Sequence, residues 1–121
     1  MPRPRLFPRP VSLPSTRPFS DAAEAWFWYV RTQRARREGA RFESGPRTAA
    51  RPCDPDDIYL AVRALHRRGD LLAAHLRTLA RYGALERTPD SRLAEERPHL
   101  RLWSEALDRL GDHLRAKGIV E

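Results

Sequence analysis

Apolar residues recur at helical spacing in four stretches of this chain, and glycine or proline marks most of the breaks between them. The first stripe, Ala23, Trp26, Phe27 and Val30, lies just after Ser20, with Asp21 and Glu24 placed where a helix dipole favours acids. With Ser20 as N-cap and Gly39 as the stop, the pattern predicts a helix over about 21–38. Within it, Trp26-Phe27-Trp28-Tyr29 points around the whole circumference, so four rings cannot all face one core. Trp28 or Tyr29 is therefore expected near the surface or beneath a covering segment.

The second stretch carries the clearest start signal. In Asp54-Pro55-Asp56-Asp57, Asp54 suits the N-cap and Pro55 the first helical position, with two carboxylates in the first turn. Ile58, Ala61, Val62 and Leu65 form the apolar face, and Gly69 closes a helix over about 55–68. A third helix, capped by Asp70, is predicted over about 71–82, with Leu72, Leu76, Leu79, His75 and Tyr82 inward and Gly83 as its stop. In the last stretch Trp103, Leu107, Leu110 and Leu114 repeat at intervals of 4, 3 and 4. That seam predicts a helix over about 91–117, which Pro98 either starts or kinks, with Gly118 beyond it. The expected fold class is all-α: a small bundle of about four helices over residues 20–121, with a linker at 39–53.

Residues 1–19 break this pattern. Pro2, Pro4, Pro8, Pro10, Pro14 and Pro18 alternate with Arg3, Arg5, Arg9 and Arg17, and no acid occurs among them. The stretch reads as a disordered, extended basic arm with polyproline II bias. It lacks the apolar run of a secretory signal, and its prolines oppose the amphipathic helix of a transit peptide, so a cytoplasmic location is expected. No apolar run approaches the roughly 20 residues that span a bilayer, and no membrane role is expected.

Charge sharpens this picture. The formal net charge is +7, and all of the excess lies before residue 52; beyond it, positive and negative residues cancel. Such an excess raises affinity for polyanions. Only Lys117 among the basic residues is lysine, a preference that a GC-rich bacterial genome also produces without any functional cause.

The helices over 55–68 and 71–82, joined through Arg68-Gly69-Asp70, have the outline of a helix-turn-helix unit. A recognition helix there would present Ala73, Ala74, Arg77, Thr78 and Arg81, with Arg63, Arg67 and Arg68 close by and Arg31 and Arg34 on the first helix adding phosphate contacts. Small residues near its start would allow close approach. The solvated face of an ordinary bundle is the competing explanation. A second reading is a helical protein-interaction adaptor, in which Trp28, Tyr29, Trp103 and Leu107 engage an acidic or helical protein or a second copy of the chain.

Catalytic chemistry finds no support in the sequence. Asp54, Asp56 and Asp57 lack calcium-loop spacing and are explained by capping. The histidines His66, His75, His99 and His113 form no i, i+4 pair. Cys53 is the lone cysteine, so no disulfide within the chain is possible. No catalytic residue, metal site or cofactor is expected. The residues point to a small, non-catalytic nucleic-acid-binding or transcription-associated protein, with DNA favoured over RNA.

Overall fold

The computed structural model describes residues 17–39 and 51–121. Four helices follow in order: α1 (Ala22–Arg37), α2 (Pro55–Arg68), α3 (Ala73–Leu85) and α4 (Arg97–Ala116). They pack as a helical bundle, as the apolar spacing predicts, and the described residues contain no strand. Residues 1–16 of the expected arm, and 40–50 of the expected linker, lie outside the described residues.

α4 is the organising element. Its seam packs against all three other helices, and Leu110 and Leu114 are fully buried. Burying such a leucine contributes about 1.5–3 kcal/mol relative to leaving it exposed. α3 leans chiefly on α4, whereas α2 divides its packing between α1 and α4. α2 and α3 are thus consecutive in sequence, but each packs mainly on α1 and α4 rather than on the other. Among the described residues, no helix is long and apolar enough to cross a membrane.

Several boundaries move for identifiable reasons. The cap of α1 is Asp21, not Ser20: its side chain accepts the Glu24 N–H (2.9 Å), while the Glu24 carboxylate accepts the Ser20 N–H (2.7 Å). Asp70 does not cap α3 but pairs with Arg68. The helix begins instead after Leu72, whose N–H donates to Nδ1 of His75 (3.0 Å). The apolar assignment shifts with it: Leu71 is fully buried, and Leu72 is 57% exposed.

α3 also runs past Gly83 to Leu85, because Gly83 serves there as a point of close approach. A Cβ at Gly83 would sit 2.9 Å from both Trp26 Nε1 and Val30 Cγ2, so only glycine lets α1 cross at that depth. Glu86 ends the helix with φ +54°, a left-handed conformation uncommon for a residue with a side chain. α4 starts at Arg97, later than about 91, because residues 87–96 fold into a loop around the buried carboxylate of Glu96.

One part of the core lies where the sequence reading placed only the arm. Phe19 is 0% exposed. Its N–H donates to Ile119 O and its carbonyl accepts from the Glu121 N–H, both at 2.9 Å, which stitches the entry of α1 to the chain end. Phe19 also packs on Trp28, with ring centroids 5.1 Å apart. That is the covering segment expected for the aromatic block.

Candidate nucleic-acid interface

Ion pairing sorts the expected contact arginines into two groups. Arg31 and Arg34 both reach back to Glu86, Arg31 at 3.7 Å, and Arg34 also donates to Ala84 O. Arg68 is held by Asp70 through both Nε and a terminal nitrogen. Arg31 and Arg34 thereby tie α1 to the end of α3, whereas the Arg68 pair is local to the turn after α2. Arg63, Arg67, Arg77 and Arg81 make no ion pair among the described residues and all four are exposed, although the charge of Arg81 reaches the Glu96 carboxylate. Arg81 lies instead over the Tyr82 ring, 5.5 Å from its centroid.

Arg77 and Arg81 stand one turn apart on α3, along a groove of about 600 Å³ between α3 and α4. Ala74, Thr78 and Ala80 from α3 and His99 and Leu102 from α4 complete its lining, and no carboxylate lines it. The structure thus brings Ala74, Arg77, Thr78 and Arg81 together, as the helical spacing predicts. It assigns Thr78 a different part from the expected outer-face contact: the residue is buried, and its hydroxyl donates to Ala74 O (2.8 Å).

His99 lines the same groove, a place its position in the sequence does not reveal, and its partner is Tyr82, which the helical spacing already places on the inner face of α3. The Tyr82 hydroxyl lies 2.7 Å from Nδ1 of His99, and Tyr82 itself is fully buried against Trp103, with ring centroids 5.9 Å apart. The two residues are 17 positions apart, across a loop whose path nothing in the apolar pattern reveals.

A second histidine gains an acid that the sequence did not suggest. His75 is 2% exposed; since Nδ1 accepts from Leu72, Nε2 carries the proton and donates to Glu105 (2.9 Å). Glu105 also accepts from Arg101 (3.0 Å), and the His75 and Arg101 bonds hold its carboxyl below the usual range. Arg109 closes the arrangement by donating to Asp70 O (3.1 Å). Both ring nitrogens of His75 are engaged in joining α3 to α4.

The residues of the adaptor reading are placed mainly in the interior. Trp103 is 5% exposed, between Phe27 and Tyr82, and Leu107 is half-buried against the same core. Trp28 and Tyr29 are half-buried, under Phe19 and beside Trp26 respectively. Cys53 is also half-buried; desolvation first, then the charges of Asp57 and Asp54, push its thiol up to about 11. Among the described residues no group of histidine, cysteine and carboxylate side chains is arranged to hold a metal ion.

Comparison with protein-family models, with curated proteins and with solved structures gives no match for this chain, so its functional reading rests on its own residues.

Proposed function

We propose that this chain is a small, non-catalytic nucleic-acid-binding protein whose contact surface is the α3/α4 groove and the arginines beside it. The observation that carries this reading is the pair Arg77 and Arg81: exposed, one turn apart, in no ion pair among the described residues, on a groove whose lining includes no acid. Guanidinium groups left unpaired in this way are free to bind phosphate oxygens in bidentate fashion. The net charge of +7 adds a general attraction to polyanions. Arg63 and Arg67 on α2 are further phosphate contacts in this reading. Base readout by the outer face of α3, in the manner of a helix-turn-helix recognition helix on duplex DNA, is its finer form.

The test is fluorescence anisotropy with labelled duplex DNA, single-stranded DNA and RNA, each titrated at several salt concentrations. The expected result is binding with a steep salt dependence and a preference for the duplex. Replacing Arg77 and Arg81 together by alanine should lower affinity and flatten the logarithmic salt slope by up to roughly 2, since each phosphate contact contributes about 0.9. An unchanged slope and affinity in that variant would remove the groove from the reading. Absence of binding to all three probes near physiological salt would overturn the reading itself. The adaptor function, acting through Trp28 and Tyr29, would then take its place.

A further inference from the structure

We propose that the α3/α4 groove contains a seat for a single phosphate group, held by the guanidiniums of Arg77 and Arg81 and by the Nε2–H of His99. This rests on the nucleic-acid reading and narrows it to one phosphate of the backbone.

The role of His99 follows from Tyr82. Tyr82 is fully buried, and among the described residues the partner of its hydroxyl is Nδ1 of His99, at 2.7 Å. A buried O–H without an acceptor is strongly unfavourable, so the phenol donates and Nδ1 accepts. The neutral ring then carries its proton on Nε2. Because Nδ1 is turned inward to Tyr82, Nε2 on the opposite side of the ring is the nitrogen that faces the groove His99 lines, and among the described residues no hydrogen bond engages it. Tyr82 is thus a positioning residue that fixes His99 as a hydrogen-bond donor.

The charged and ring side chains that line the groove therefore all present donors. Arg77, Arg81 and His99 offer N–H groups, and the Thr78 hydroxyl already donates to Ala74 O. Two guanidinium forks and one imidazole N–H match the spread of oxygens on a tetrahedral phosphate better than a planar carboxylate. The small side chains of Ala74 and Ala80 leave room within about 600 Å³ for the substituents of a phosphate ester as well.

The experiment is NMR on the full chain, using long-range ¹H–¹⁵N correlations of the histidine rings and the arginine Nε resonances. Inorganic phosphate is titrated against chloride at equal ionic strength. The free protein should show His99 protonated on Nε2. Phosphate, and not chloride, should shift His99 Nε2 together with Arg77 and Arg81. Tyr82→Phe keeps the ring in the core but releases His99, and should weaken phosphate binding about 3–10-fold, the worth of one hydrogen bond. Circular dichroism checks that this variant stays folded. His99 protonated on Nδ1, or shifts no larger with phosphate than with chloride, would overturn the seat. If the seat fails while Arg77→Ala/Arg81→Ala still weakens oligonucleotide binding and flattens its salt slope, the nucleic-acid reading survives without it. If phosphate binds in the seat and no oligonucleotide does, the seat stands with a phosphomonoester as its ligand and the nucleic-acid reading falls.

Discussion

Two arginine pairs in this molecule look alike in the sequence and are put to opposite uses. Arg31 and Arg34 on α1, and Arg77 and Arg81 on α3, are each spaced about one helical turn apart on a solvent-facing side. The first pair converges on Glu86, at the left-handed end of α3, and so fastens the point where α1 crosses that helix. The second pair makes no ion pair among the described residues and borders an open groove. The role of an arginine on a helix surface thus depends on whether the fold delivers an acid to it, which charge counting along the chain cannot reveal.

The largest effect is expected at the crossing itself. Gly83→Val would drive a branched side chain into Trp26 and Val30, where a single Cβ already meets atoms at 2.9 Å. Overpacking of this kind costs on the order of 1–3 kcal/mol. Thermal denaturation should show the loss, and an unchanged midpoint would mean that α1 and α3 do not approach so closely.

Next comes the comparison of the two pairs. Arg77→Ala/Arg81→Ala should reduce oligonucleotide affinity by about tenfold and flatten its salt slope. Arg31→Ala/Arg34→Ala should leave the slope unchanged and lower stability by no more than about 1 kcal/mol, as for other exposed ion pairs. Equal losses of affinity in both variants would erase the distinction.

Acid provides a third test, at the loop between α3 and α4. The Glu96 side chain is 4% exposed and accepts two bonds from Arg87 (2.8 and 2.7 Å) and one from the Asp90 N–H (2.8 Å). The Arg87 bonds first, and the Asp90 N–H second, outweigh desolvation and hold its carboxyl at about 2. A carboxyl lowered on folding stabilises the native state above its unfolded value, and that contribution disappears as pH falls through the folded one. The melting temperature should therefore drop between about pH 5 and pH 2. Glu96→Gln should melt lower at neutral pH and lose part of this dependence; an identical pH profile would show that Glu96 does not contribute.

The smallest effect is a sharpening. Glu86→Gln removes the acid that holds Arg31 and Arg34 while nearly preserving shape. Stability should fall by less than about 1 kcal/mol. Oligonucleotide affinity should rise by about twofold, because one negative charge is gone and two arginines are released. A decrease in affinity would show that Glu86 positions the α1 arginines for binding rather than withholding them.

The sequence by itself determined the number of helices and their order, and for α2 it determined both ends. Asp54-Pro55 and Gly69 act through φ preferences and first-turn geometry that need no tertiary partner. The α4 seam was equally legible, because a 4, 3, 4 apolar repeat can bury itself only as one helical face. Tertiary structure alone decided the rest. Gly83 reads as a stop until α1 is seen to lie across it. Phe19 reads as part of an arm until its backbone pairs with Ile119 and Glu121, a hundred residues away. The partners of His75 and His99 come from residues 30 and 17 positions distant, and the carboxylate of Arg34 from 52. Local spacing encodes what a segment does with its own backbone. The pairing of one charge or ring nitrogen with another depends on how the helices pack, and so does the groove where Arg77, Arg81 and His99 meet.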